Sequence, residues 1–397
     1  MAGELDGVRV LDFSRYVAGP YGGMILADLG AEVIRVEPPG GSEDRSLGPF
    51  LPDGESIPYG LILARNKKSI TLDLGRQRGR EILDLLISKG DILIHNFPPS
   101  SMEASLLDYG RLEKINPGIV VVWISGFGPQ GPRSSEPCFD SIAQALSGAM
   151  SYCGFPGNPP TRSAVPYVDL ASGVFAALGA MVALRHRERT GKGQLVDVAL
   201  LDTALSFVAA MGVLAEWEVL GFEREAIGNY SFHTYANAFQ VKDGWVMVNL
   251  IGNGCWRRFT KAVGMEDVAW DPRFSDDETR FRNRELITAI VAQWMAQRTA
   301  REVLEVLKGA RVPCAQVMRI SQVMRDPHLR ERKTIAEVEH GGWGKVPVPG
   351  PIPRFSRIQE RRPNPGPYPG QHNLEIYGEL LGLSAEEMEV LRKEGVI

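Results

Sequence analysis

Cysteine is scarce in this chain, with Cys138, Cys153, Cys255 and Cys314 the only thiols in 397 residues. No two of them form a C-x-x-C pair, and none stands at zinc-site spacing from a histidine. This excludes a disulfide scaffold and suits a reducing compartment. The six histidines are scattered, so no metal site is expected. Charge of one sign is lacking too. Lys and Arg number 44 against 48 Asp and Glu, a formal net charge of -4. Such a balance provides no field for nucleic acid or an anionic membrane. A charged substrate must therefore be held by local groups. The longest apolar stretch, Ala171 to Leu184, is rich in Gly and Ala. It is shorter than the roughly 20 residues that span a bilayer. The N-terminal run Met1 to Gly7 is acidic and has no apolar signal core. The expectation is a cytoplasmic protein without nucleic-acid or membrane partners.

Several catalytic signatures are also missing. The sequence has no G-x-S-x-G elbow, no Walker P-loop and no H-E-x-x-H. The first strand-to-helix turn reads Ala18-Gly19-Pro20-Tyr21-Gly22-Gly23, which is not the G-x-G-x-x-G of dinucleotide sites. Glu37 stands where a ribose-binding acid would sit, but the glycines argue against that use. Pro20 fits a first helical turn, which is either an ordinary strand-to-helix turn, the reading the segment alone favours, or a set of amides for phosphate or pantetheine oxygens.

What is present reads as α/β. Val8–Phe13, Ala31–Glu37, Ile70–Leu74, Asp91–Asn96 and Ile119–Ile124 carry buried-strand patterns, with helices over Pro20–Leu29 and Gln77–Ser88. This alternation predicts a mostly parallel sheet, a Rossmann-like large domain. Phe139 to Ala215 reads as mainly helical, broken by the Pro-rich Gly154–Pro166 loop. Lys242-Asp243-Gly244 between Tyr235–Val241 and Trp245–Leu250 is a hairpin signal. Helices are predicted over Trp256–Val263, Arg284–Ala296 and Ala300–Leu307. The middle section thus forms a smaller α+β domain. Thr334 to Val348 reads as a strand pair. Two helices end the chain, the second opened by the capping box at Ser384. The predicted division is 1–225 with 326–397 for the large domain and 226–325 for the small one.

Asp169 lies in Val165-Pro166-Tyr167-Val168-Asp169-Leu170-Ala171-Ser172-Gly173, where a loop gives way to a small-residue helix. Locally it reads as an N-cap, for which Asp is well suited. The helix terminus would stabilise its carboxylate, and the small residues after it would leave room for a ligand. Ile251-Gly252-Asn253-Gly254 is a loop after a strand. It is either a turn or a source of N–H groups for an oxyanion.

These pieces combine into a wider resemblance. Val10-Leu11-Asp12-Phe13-Ser14-Arg15, Ala18-Gly19-Pro20, Leu26 to Ile34, Val36-Glu37-Pro38, Asn66 to Leu74, Asn96-Phe97 and Ser125-Gly126-Phe127-Gly128 occur in this order. Thr190-Gly191-Lys192-Gly193-Gln194, Asp271-Pro272-Arg273-Phe274, Val312-Pro313-Cys314 and Gly395-Val396-Ile397 follow. In that order the sequence resembles the class III CoA-transferases of CaiB/BaiF type, the group of formyl-CoA and carnitine CoA-transferases. The resemblance implies an interlocked homodimer and a CoA-transferase that needs no permanently bound cofactor. An acyl-CoA and a carboxylic acid would be its substrates, with Asp169 as the nucleophile. It also implies CoA contacts at Val17, Ala18, Arg45, Leu72, Asp73, Leu74, Gly75, Asn96 and Phe97, and an oxyanion loop at Gly252, Asn253 and Gly254. Pro98 and Ala104 stand where the family carries arginine, and Pro38 and Pro137 where formyl-CoA transferases carry basic residues, removing potential phosphate partners. Two alternatives share the fold: a 2-methylacyl-CoA racemase and a non-catalytic subunit of a hetero-oligomeric transferase. The racemase needs a histidine where this chain has Phe139. Tyr230, Phe232, His233 and Tyr235 suggest an aromatic acceptor pocket or ordinary core packing.

Overall fold

The computed structural model describes residues 3–358 and 361–397, so Met1 and Ala2 of the acidic N-terminal run lie outside the described residues. The chain divides into two compact units. The first comprises Met1–Ala149, Arg162–Ala215 and Pro327–Ile397, and the second Met150–Thr161 and Glu216–Asp326.

The first unit is built on six parallel strands: β1 (Arg9–Asp12), β2 (Glu32–Glu37), β3 (Lys68–Thr71), β4 (Ile92–His95), β5 (Val120–Ser125) and β6 (Leu195–Ala199). Their order is β3-β2-β1-β4-β5-β6. A parallel sheet must be covered on both faces, and its strands accordingly read as near-continuous apolar runs. Alternate side chains serve opposite faces. Val10, Val33, Ile92 and Val120 point to one core, shared with Leu26 and Ala27 of α1 (Ala18–Asp28). Leu11, Ile34, Leu93 and Val121 point to the other, under Ile82, Leu83 and Leu86 of α2 (Gln77–Lys89). The strand order reverses between β1 and β4. In open sheets of this kind, ligands bind at that switch point, beyond the carboxyl ends of the strands.

Three further helices complete the part of this unit that matters for the site: α3 (Asp140–Leu146), α4 (Tyr167–Thr190) and α5 (Leu200–Ala209). The sequence reading takes 139 to 215 as mainly helical, yet β6 lies inside it. Leu195-Val196-Asp197-Val198-Ala199 does alternate, but five residues between two helices are a weak signal. Its strand character comes from pairing with β5, from Val121↔Leu195 to Ser125↔Ala199. The strand expected at Ile70–Leu74 instead runs Lys68–Thr71, ending where its partner β2 ends, at Glu37↔Thr71.

Helices α1 and α4 pack closely. A Cβ on Gly173 would lie 2.6 Å from the Ala18 carbonyl oxygen. The small residues after Asp169 therefore make room for α1, not for a ligand as the sequence suggests. At 24 residues α4 is longer than the apolar stretch within it, and by length and composition alone it could cross a membrane. Its Ala176, Ala180, Ala183 and Leu184 instead belong to the core.

In the second unit, β7 (Ala236–Val241) and β8 (Gly244–Asn249) form a hairpin through Lys242-Asp243, with β9 (Cys314–Gln316) added antiparallel to β8. Helices α6 (Asn253–Ala262), α7 (Arg284–Ala296) and α8 (Ala300–Gly309) cover this sheet around Trp256, Phe259 and Phe274. Part of the Pro-rich loop joins this unit, where the Gly228 N–H donates to the Gly154 carbonyl at 2.8 Å. The C-terminal return to the first unit carries the hairpin β10 (Ile335–His340) and β11 (Gly344–Pro349), then α9 (Ala385–Lys393) behind its Ser384 capping box. This tail is tied to the sheet edge, where the Asp73 N–H donates to the Val396 carbonyl at 2.8 Å.

Candidate active site

The loop beyond β1 is held from below by buried charge. Asp12 at the end of β1 pairs with Lys67 at 2.7 Å, both fully buried. Burial pushes the Asp12 carboxyl up, but Lys67 outweighs it and holds the group below its ordinary range. Its other oxygen accepts from the Ser14 N–H at 3.0 Å and from the Ser14 hydroxyl. The loop is then clamped to the strand across the switch point. The Arg15 N–H donates to Asn96 Oδ1 at 2.8 Å, and Asn96 Nδ2 donates back to the Arg15 carbonyl at 2.9 Å. Tyr16 takes a left-handed conformation with φ of 62° and donates its N–H to Asp44 at 2.9 Å.

This loop forms one wall of a cavity of about 330 Å³ at the carboxyl ends of β1, β4 and β5. Val17, Ala18, Asn96 and Phe97 line it, as does Asp169. The structure thus brings together four of the nine expected CoA contacts with the expected nucleophile.

Asp169 is not the N-cap. Pro166 occupies that position, and Asp169 stands in the first turn of α4. The capping is done from a distance by Asp140, whose Oδ2 accepts from the Val168 N–H at 2.9 Å and the Asp169 N–H at 3.2 Å. Gln144 in turn donates to Asp140 Oδ1 and accepts from the Ser163 N–H at 2.9 Å. A residue that caps its own helix has its oxygen occupied. Here Asp140 takes that task, and among the described residues no hydrogen bond or ion pair reaches the Asp169 carboxylate. Burial, then the nearby Asp140 charge, push the Asp169 carboxyl up to about 7. An Asp carboxyl with its ordinary value near 3.9 is fully ionised near neutrality. The half-buried site makes ionisation harder than that.

Other groups near the cavity are less suited to chemistry. The Cys138 thiol lines it, but burial and then Asp169 push it up to about 11, so it stays protonated. Phe139 lines it at 60% exposure, edge-on to Tyr16 at 5.8 Å. No histidine lines the cavity among the described residues. His95, the nearest in sequence to the cavity wall, is buried between Phe97 and Trp123, and burial lowers it to about 3.

The remaining sequence-derived contacts fall elsewhere. Arg45 does not line the cavity; its guanidinium is bound to Glu37 at 2.6 Å, Glu55 at 3.0 Å and the Pro367 carbonyl at 2.9 Å. Glu37 is fully buried in the same cluster with Arg35 and Ser69, so no ribose hydroxyl reaches it. Leu72 and Leu74 point into the core beneath α2. Asp73 closes the turn into α2 by accepting from the Gly75 N–H at 2.8 Å. Gly252, Asn253 and Gly254 belong to the second unit and open α6. The Gly252 N–H donates to Asp277 at 3.0 Å, and Asn253 Oδ1 accepts from Arg280 at 3.0 Å. Tyr230 and Tyr235 lie in the same unit, each hydroxyl sharing Thr288 Oγ1 as a hydrogen-bond partner. His233 lies 3.2 Å from Glu216, and Phe232 lies under the Arg224 guanidinium. Sequence reasoning missed Asp140 and Arg15 as parts of the site. Arg15 ends a quoted motif and Asp140 follows Phe139, but nothing in the linear sequence shows that Asp140 reaches the turn at 168–169.

The chain as a whole is similar to known proteins. The family model described as CoA-transferase family III matches residues 5–373. A succinyl-CoA–D-citramalate CoA-transferase of Chloroflexus aurantiacus is 35% identical over 99% of this chain and 98% of its own length. The alpha subunit of a succinyl-CoA–L-malate CoA-transferase from the same organism is 34% identical over 99% of this chain and 92% of its own. Among solved structures, a CAIB/BAIF family protein from Brucella suis superimposes with a TM-score of 0.85 at 29% identity, covering 96% of this chain and all of that one. The chain belongs to CoA-transferase family III and is an enzyme of that class.

Proposed function

We propose that this chain moves CoA from a dicarboxylic acyl-CoA to a second carboxylic acid through covalent intermediates on Asp169. The observation that carries this is the unpartnered Asp169 carboxylate in the cavity at the switch point. In the first step a carboxylate oxygen of Asp169 attacks the thioester carbonyl, forming a mixed anhydride and releasing CoA thiolate. The thiolate then attacks the Asp169 carbonyl carbon, giving an aspartyl-CoA thioester and the free donor acid. The acceptor carboxylate repeats these two steps in reverse. Splitting one difficult transfer in this way is covalent catalysis, and it consumes no proton overall. The tetrahedral oxyanions formed on the way need N–H donors, and removing one such donor typically costs about 100–1,000-fold in rate.

The dicarboxylic substrate class is supported by the relatives, whose names pair succinyl-CoA with D-citramalate and with L-malate. Racemisation is disfavoured because it needs a second acid–base group opposite Asp169, and Phe139 exchanges no proton. The exposed apolar residues Val174, Phe175, Leu178 and Val182 on α4 and Phe207 on α5 fit an interlocked second copy, which light scattering would detect.

The deciding experiment is incubation with succinyl-CoA followed by intact-mass and peptide mapping. A CoA-sized adduct on Asp169 is expected. Absence of any adduct, with transfer undiminished in Asp169→Ala, refutes the reading. One relative is named as an alpha subunit, which supports a second reading. Activity that appears only after a second polypeptide is added would favour it.

A further inference from the structure

The cavity beside Asp169 is unevenly charged. Its lining includes three acids, Glu43, Glu136 and Asp169, and a single cation among the described residues, Arg15. Every substrate of a CoA transfer is anionic, so that one cation carries the burden of attraction.

Arg15 is only 9% exposed, and one end of its guanidinium is fixed. Nη1 donates to the carbonyls of Phe13, Ser14 and Val36 at 2.8, 3.1 and 3.2 Å. The Phe97 ring lies 5.4 Å from the guanidinium carbon. The chain on either side is locked by the reciprocal Asn96 clamp and the Tyr16–Asp44 bond. Nε and Nη2 have no protein partner among the described residues, and neither is sealed from solvent. A rigidly held guanidinium with two adjacent unused donors matches the two oxygens of a carboxylate or phosphate. Arg45, the arginine that sequence resemblance points to, is already engaged by Glu37 and Glu55.

We propose that Arg15 is the anion receptor of this cavity, binding a pair of substrate oxygens through its Nε–Nη2 edge. The proposal rests on the CoA-transfer reading for the identity of the anion. That reading leaves two sources: the distal carboxylate of a dicarboxylic acyl group, or a phosphate of CoA.

Binding measurements separate the sources. The full chain and its Arg15→Gln and Arg15→Lys variants are titrated calorimetrically with CoA, with glutarate and with pentanoate. Losing a hydrogen bond to a charged group weakens binding about 10–100-fold. Such a loss for CoA in Arg15→Gln places the anion on phosphate. A loss for glutarate that removes its advantage over pentanoate places it on the acyl carboxylate. In either case Arg15→Lys recovers part of the affinity, because an ammonium restores charge but not the paired geometry. If Arg15→Gln leaves both affinities within about threefold of the parent, or Arg15→Lys recovers nothing, Arg15 merely braces the loop and the proposal is overturned. These affinities do not depend on turnover. They therefore stand or fall separately from the nucleophilic role of Asp169, which the adduct experiment tests.

Discussion

Replacing Asp169 should make this protein more stable, and only at higher pH. Asp169 carries a carboxyl whose value is raised from 3.8 to about 7 in the folded chain. An Asp raised on folding binds its proton more tightly in the native state than in the unfolded one. Native stability therefore falls as pH climbs from about 4 to about 7, and the loss is complete above that. The distance between the two values corresponds to roughly 4 kcal/mol as a ceiling. Asp169 is half-buried, so solvent screening reduces this to on the order of 1–2 kcal/mol. Asp169→Asn keeps the shape of the side chain and removes the charge. The variant should match the parent near pH 4 and exceed it at pH 8, with a Tm higher by about 1–2.5 °C for a chain of this size. Thermal denaturation followed by circular dichroism across pH 4–8 reads the difference directly. A Tm difference that stays flat over this range would refute the argument. So would a parent that is the more stable protein at pH 8.

Other perturbations test neighbouring parts of the same reasoning. On the proposed mechanism Asp169 must be ionised to attack, so kcat/KM should rise about tenfold per pH unit below about 7 and level off above it, as pH-rate profiles would record. Asp140→Asn keeps one acceptor oxygen for the 168 and 169 amides, which share a single oxygen in the parent, but removes a like charge, so the rising limb should move to lower pH. Gly173→Ala drives a methyl group against the Ala18 carbonyl, and overpacking of this kind costs about 1–3 kcal/mol, measurable by chemical denaturation. Lys67→Met strands the buried Asp12 charge and should cost about 3–5 kcal/mol, while the double variant with Asp12→Asn should recover much of it.

The alternation of apolar runs and helices was enough to predict a parallel sheet, because strands covered on both faces have little choice of residue. Val10, Ile34, Leu93 and Val121 are buried as that pattern requires. The hairpin at Asp243-Gly244 and the capping box at Ser384 were legible for a similar reason, since each is decided by neighbours within about four residues. Strand β6 was not, because its pairing with β5 joins Val121 to Leu195 across a long stretch of chain.

The site divides in the same way. Sequence alone identified Asp169 as the residue of interest, together with Val17, Ala18, Asn96 and Phe97, through motifs that stand in a fixed order. It read Asp169 as a helix cap and its small neighbours as ligand space, because local sequence offers no other partner for either. Tertiary structure decided otherwise. Asp140 reaches across from another helix to cap that turn, and α1 fills the space beside Gly173. The freedom of the Asp169 carboxylate, its raised value near 7 and the unused edge of Arg15 all depend on groups far apart in the chain. Burial and charge act through space, so only the folded chain determines them.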